Sequence, residues 1–161
     1  MANETLTVRP MTEAEFEKFR SHTIVEYAAV NVTAGHWSKE DSLEKSTQAI
    51  TTLLPEGMST PNTLLLTAIG PDGNEIGYLW IGLRRTANPA DGAWIYDIEL
   101  YEEFRGKGYG RQLLAEAERL VKSHGVQKLG LNVFGSNTIA RNLYESAGYD
   151  VTSQQMSKAI N

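Results

Sequence analysis

The chain has 161 residues, no cysteine and a formal net charge of −5. That length can carry one domain with a real hydrophobic core, and the lack of cysteine excludes disulfides, thiolate metal sites and a cysteine nucleophile. An acidic balance argues against nucleic acid as a partner and favours a cationic one. No apolar run approaches the ~18–20 residues that span a bilayer. Met1 to Pro10 lacks a basic start followed by an apolar stretch, so no secretory signal is read. With no repeat or linker visible, the expectation is one cytoplasmic domain over residues 1–161, away from membranes.

Thr5 to Arg9 predicts a short first strand. Met11 to about Asn31 predicts a helix with Phe16, Phe19 and Thr23 on one face and Thr12 as a cap. Ser38 to Leu54 predicts a second helix, opened by Ser38 with Asp41 three residues on, and Pro55 and Gly57 mark its end. Thr63 to Ile69 and Glu75 to Leu83 predict two strands joined by Gly70-Pro71-Asp72-Gly73-Asn74, a turn in which proline fixes φ and glycine accepts positive φ. The run Ile76-Gly77-Tyr78-Leu79-Trp80-Ile81 is apolar at both parities, so that strand is covered on both faces and central.

Ala93 to Tyr101 predicts a fourth strand. Tyr109 to His124 predicts a helix from the spacing of Leu113, Leu114, Ala117, Leu120 and Val121, ended by Gly125. Lys128 to Phe134 predicts a strand, Asn137 to Ala147 a helix closed by Gly148, and Tyr149 to Lys158 a last strand or two. The strand–helix–strand unit from 93 to 134 implies a parallel crossover, while the earlier strands read as antiparallel. The class is therefore mixed α and β.

The most informative segment is Tyr101-Glu-Glu-Phe-Arg-Gly-Lys-Gly-Tyr-Gly-Arg111. Gly106, Gly108 and Gly110 alternate, so backbone N–H groups can turn toward one point without interference from a Cβ. That point lies at a helix N-terminus, where unpaired donors and the dipole favour an anion. Arg105, Lys107 and Arg111 add positive charge, and the segment asks for a phosphate or pyrophosphate. The spacing is neither G-x-x-x-x-G-K-[ST] nor G-x-G-x-x-G, because Arg111 stands where a third glycine would be. A P-loop is therefore out, and a dinucleotide-binding oxidoreductase is disfavoured.

These residues resemble the GNAT superfamily of acyltransferases, whose signature Gln/Arg-x-x-Gly-x-Gly/Ala is met by Arg105, Gly108 and Gly110. Leu131-x-Val133 and then Asn137-x-x-Ala140-x-x-Leu143-Tyr144-Glu145-x-x-Gly148-Tyr149 follow in the order the resemblance requires. Ala34-Gly35-His36-Trp37, Leu53-Leu54-Pro55 and Ile95-Tyr96-Asp97 look like a small group of bacterial members without a known role. The resemblance implies an α+β fold, with a twisted mixed sheet of six to seven strands flanked by four helices. It implies acetyl-CoA as co-substrate, a primary amine as acceptor, no metal, and a homodimer as one option for assembly. Gly106, Lys107, Gly108, Tyr109, Gly110 and Arg111 would hold the CoA pyrophosphate. The strand end at Ile98, Glu99 and Leu100 would pair with the pantetheine arm and acetyl carbonyl. Asn137 matches a position that contacts CoA, and Tyr144 one that protonates the departing thiolate.

The chemistry agrees with those roles. An aliphatic amine has a pKa near 10, by analogy with lysine, and is mostly protonated at neutral pH. Attack on a thioester needs the neutral form, hence a base or a water chain. Some members carry a glutamate on the strand after the CoA helix; here that position is Asn132, which cannot serve. Asp97 and Glu99 are two apart on the fourth strand, so alternation puts both carboxylates on one face, where like charge raises one pKa. Each residue also has a plainer reading. The two carboxylates could be solvated or paired with arginine, Asn137 could be only an N-cap, and Tyr144 could be a core tyrosine beside Ala140, Leu143 and Ala147.

His22, His36 and His124 are scattered with no metal-ligand spacing, and His124 beside Gly125 reads as a helix end. Trp80 reads as core, whereas Tyr27 and Trp37 could line an acceptor pocket. The competing function is a non-catalytic acyl-CoA-binding module or sensor, which Asn132 favours and Tyr144 disfavours.

Overall fold

In the computed structural model, which describes residues 5–161, Thr12 caps the first helix as its position suggests. Its hydroxyl accepts from the Glu15 N–H at 3.2 Å, and the Glu15 carboxylate accepts from the Thr12 N–H at 2.7 Å. Two orphan donors are thereby satisfied at the start of α1, Glu13–Thr33. The second helix, α2, is Ser42–Leu53, so it begins four residues later than expected. The Ser38 hydroxyl accepts from the Asp41 N–H and donates to the Asp41 carboxylate. That pair closes a turn instead of opening a helix.

Five strands form one sheet: β1 Thr7–Pro10, β2 Thr63–Ile69, β3 Glu75–Gly82, β4 Ala93–Leu100 and β5 Leu129–Leu131. They lie in chain order. The first four are antiparallel, and β5 joins β4 in parallel. The link between β4 and β5 carries α3, Tyr109–Ser123. A fourth helix, α4, is Thr138–Ser146. The class is α+β with four α-helices, and β3 is central, as its two-parity apolar run predicts.

The six to seven strands expected are corrected to five among the described residues. The predicted strand 128–134 keeps only three residues, and 149–158 forms no strand. From Val151 onward every residue is exposed. The run Thr152-Ser153-Gln154-Gln155 offers no alternating apolar face for a sheet to bury.

Burial follows the two faces of β3. On one, Phe16 and Phe19 of α1 cover Tyr78 and Trp80, with Ile50 and Leu54 closing the cluster. Phe19 meets the Tyr78 and Trp80 rings edge-on at 5.0 and 5.8 Å, and removing such a ring costs about 3–5 kcal/mol. The other helix, α3, meets β3 and β4 with Leu113, Leu114, Ala117 and Val121 buried. Trp80 is therefore a core residue, 2% exposed. The chain falls into two compact units, the first ending at Leu131 and the second Asn132–Asn161. No described helix is long and apolar enough to cross a membrane.

Candidate active site

The segment after β4 forms the turn that the alternating glycines suggest. Gly106 and Gly108 take left-handed φ of 74° and 84°, a conformation that glycine adopts without penalty. An ideal Cβ at either would have no protein atom within 4 Å, so open space faces both backbones. Gly108 is the N-cap of α3 and Gly110 lies in its first turn. The first N–H groups of a helix have no intrahelical partner, and the dipole is positive there. Lys107 adds charge near the Phe104 ring, 6.0 Å from its centroid. Among the described residues no cluster suited to a metal ion is found. The cradle fits a pyrophosphate.

Arg105 also meets the end of β4. Its Nε donates to the Leu100 carbonyl at 2.9 Å, and its guanidinium lies 3.7 Å from the Glu99 carboxylate. It braces the end of β4. That strand is also half open. β5 pairs only with Ala93, Trp94 and Ile95, so residues 96–100 have no strand beside them on the edge away from β3 among the described residues. Ile98, Glu99 and Leu100 fall in that free stretch, where an extended amide-bearing arm can add backbone hydrogen bonds.

The carboxylates lie on one face, as alternation predicts. A bulge does interrupt β4, since Trp80 pairs with Asp97 while Ile81 pairs with Ile95. The extra residue is Tyr96, whose ring stacks on Trp80 at 4.8 Å. The bulge thus precedes Asp97 and leaves the 97-to-99 alternation intact. The Tyr78 hydroxyl lies 3.2 Å from Asp97 Oδ2 and 2.6 Å from Glu99 Oε2. Thr23 donates to Asp97 Oδ2 at 3.3 Å, and His22 Nε2 lies 3.2 Å from Glu99 Oε2. Asp97 keeps some exposure, yet dense surrounding protein and the neighbouring Glu99 charge push its carboxyl up to about 6. Burial first, and then both carboxylates, push the Tyr78 phenol up.

Beside this network opens a cleft of about 480 Å³, walled by Phe19, Tyr78 and Tyr101 and reached by His22, Glu99 and Arg105. Glu15, Glu75, Glu102 and Glu103 also line it, against Lys18. Arg9 grips Glu15 through both oxygens at 2.7 and 2.9 Å and holds that carboxyl well below the usual range. Glu75, hydrogen-bonded to Glu15, is pushed up. The cleft is richer in carboxylates than in cations and suits a positively charged guest.

Asn137 and Tyr144 belong to the second unit. Asn137 is the N-cap of α4, its Oδ1 accepting from the Ala140 N–H at 3.3 Å. Tyr144 follows two turns along and meets the Tyr149 ring at 6.0 Å. His124 ends α3, its Nδ1 donating to the Leu120 carbonyl at 2.9 Å. Tyr27 and Trp37 pack edge-on at 5.3 Å. They do not line the cleft described above.

Sequence reasoning missed three members of the network. His22 and Thr23 follow Phe19 at three and four residues, the spacing that puts them on its helical face. Tyr78 directly faces Glu99 across the β3–β4 ladder. The signal for all three was present, but reading it needed the register of β3 against β4 for Tyr78 and the crossing of α1 over that face for His22 and Thr23.

The glycine turn at the N-terminus of α3 thus follows directly on a half-open strand that carries the paired carboxylates. The model of the acetyltransferase (GNAT) family matches residues 23–149, and the chain belongs to that family. It is 40% identical over 156 residues to YycN of Bacillus subtilis, named an uncharacterized N-acetyltransferase, covering 97% of this chain and 99% of the relative. YdgE of the same organism, with the same description, is 34% identical over 154 residues, 96% and 98% of the two chains. The crystal structure of YycN superposes with a TM-score of 0.91 at 39% identity, covering 98% of this chain and 99% of that one.

Proposed function

We propose that the protein transfers an acetyl group from acetyl-CoA to a primary amine, directly, with both substrates bound together. The observation that carries this reading is the juxtaposition on one strand. The free edge of β4 and the Asp97–Glu99 pair lead straight into the glycine cradle at α3.

Residues 106–111 hold the pyrophosphate through backbone N–H groups and the charge of Lys107 and Arg111. Ile98 and Leu100 offer backbone groups to the pantetheine arm, and Asn137 adds a contact to CoA. Bound acetyl-CoA supplies the activated acyl carbon. The ammonium form of the acceptor is drawn toward the strand by the acidic cleft and loses its proton to Asp97, which lies next to that cleft behind Tyr78 and is not part of its wall. A carboxylate whose pKa rises to about 6 is a better-matched base near neutrality than an ordinary aspartate. Glu99 is its partner, held by the Tyr78 hydroxyl and Arg105, with His22 Nε2 beside it. Tyr144 protonates the departing thiolate. With no cysteine in the chain, the usual covalent thioester route has no nucleophile.

Calorimetry with CoA and with NAD tests the cofactor directly. CoA binding without NAD binding is expected, and silence at millimolar CoA would remove the reading. Binding without turnover of any amine would favour an acyl-CoA sensor.

A further inference from the structure

Protons taken from the acceptor must leave the site, and one chain of hydrogen-bonding groups leads outward. Asp97 Oδ2 lies 3.2 Å from the Tyr78 hydroxyl, that hydroxyl 2.6 Å from Glu99 Oε2, and that oxygen 3.2 Å from His22 Nε2. Tyr78 is buried at 4% exposure, whereas the His22 side chain is 42% exposed. The chain of contacts therefore runs from the interior to solvent across β4, β3 and α1.

A phenol has one hydrogen for two carboxylates. The shorter contact gives that hydrogen to Glu99 and leaves the Tyr78 oxygen as an acceptor facing Asp97. This is the polarity an outward relay needs. Thr23 donates to Asp97 and Arg105 faces Glu99, so the remaining charged and polar neighbours steady the two ends without interrupting the chain.

We propose that Tyr78, Glu99 and His22 carry the acceptor's proton from Asp97 to water, an inference that rests on Asp97 being the base. Asp97, once protonated, passes its hydrogen to the Tyr78 oxygen as Tyr78 passes its own to Glu99 Oε2. Glu99 hands that proton to the bare Nε2 of His22 in its Nδ1–H form. The imidazolium releases the Nδ1 proton to water, and a turn of the exposed ring together with rotation of the Tyr78 hydroxyl back toward Glu99 restores the starting form. Each step breaks one O–H or N–H bond and forms another. The phenol is never left as a free anion, which suits a group whose ionisation burial opposes.

The test measures amine acetylation at saturating substrates while imidazole is varied. His22→Ala should lower kcat roughly a hundredfold at low buffer, the low end of the range for a positioned proton-transfer group. Added imidazole, reaching Glu99 from solvent, should restore the rate with KM for acetyl-CoA unchanged. Tyr78→Phe keeps the ring packed on Phe19 but cuts the chain inside, so its defect should not respond to imidazole. A His22→Ala enzyme as fast as wild type at the lowest buffer, or slow at every imidazole concentration, overturns the relay. So does imidazole rescue of Tyr78→Phe. An Asp97→Asn enzyme that keeps the wild-type pH–rate profile removes the base and the relay together, and a wild-type protein that acetylates no amine removes the whole reaction.

Discussion

Adding one methyl group at Gly77 should open the sheet beneath the candidate base. Gly77 pairs with Leu100 across the β3–β4 ladder, and an ideal Cβ there would lie 2.0 Å from the Glu99 carbonyl oxygen and 2.9 Å from Leu100 Cα. Contacts under 3.0 Å are essentially never made by real Cβ atoms, so the strands must part by about 1 Å, and both obstacles are backbone. Overpacking of this kind costs about 1–3 kcal/mol. The neighbouring Tyr101 N–H to Ile76 carbonyl bond, 2.8 Å long, weakens as well, adding about 0.5–1.5 kcal/mol. Gly77→Ala should therefore lose about 2–4 kcal/mol. At about 2–4 °C per kcal/mol for a chain of this size, Tm falls by roughly 5–15 °C. Gly135→Ala is the control, because nothing lies within 4 Å of its ideal Cβ and its effect should stay within about 0.5 kcal/mol. Calorimetric melts of the three proteins measure both. Turnover by the folded mutant should also drop, since Glu99 and Tyr78 flank the forced gap. A Gly77→Ala protein with the wild-type Tm would refute the steric argument and the β3–β4 register on which the site depends.

Gly108→Val should weaken CoA binding strongly, by intruding on the open side of the cradle and by forcing a branched residue to φ near 84°; unchanged affinity by calorimetry in the folded mutant would put the pyrophosphate elsewhere. Asp97→Asn should lower turnover and flatten the acid limb of the pH–rate profile near 6. The Asp97 carboxyl is raised from 3.8 to about 6 on folding, so the folded state holds more protons between those values and wild-type stability falls as pH rises through that window. The Tm of Asp97→Asn relative to wild type should accordingly climb from about pH 4 to about pH 6, and a flat difference would contradict the shift. Tyr144→Phe should reduce kcat, by about a hundredfold for a general acid, with CoA affinity unchanged and the defect shrinking above pH ~8.5, where a thiolate leaves unaided; full activity at every pH would remove Tyr144 from the mechanism.

The sequence made the frame of this site readable because its signals are local. Two-parity burial marked β3 as central, helical spacing marked α3, and alternating glycines marked the cradle. Asp97 and Glu99 were paired by alternation alone, since the Tyr96 bulge happens to precede them. What local pattern could not supply was register. Tyr78 reaches both carboxylates only because β3 lies antiparallel against β4 in one particular alignment, and His22 reaches Glu99 only because α1 crosses that face of the sheet. Arg105 illustrates the same limit. Its charge and motif were legible in the sequence, but its hydrogen bond to the Leu100 carbonyl and its place beside Glu99 were not. The strand count was overread because the polar run after Val151 cannot bury a face.

The central claim is acetyl transfer to an amine, and its most direct test follows free thiol and acetylated product together. Wild-type protein is mixed with acetyl-CoA and, in separate reactions, a diamine, an amino acid, an aminoglycoside and a peptide with a free N-terminus. The account predicts thiol release that depends on at least one of these amines, with an equal amount of its acetylated form seen by mass spectrometry. Tight CoA binding with no amine-dependent thiol release from any of them would contradict it.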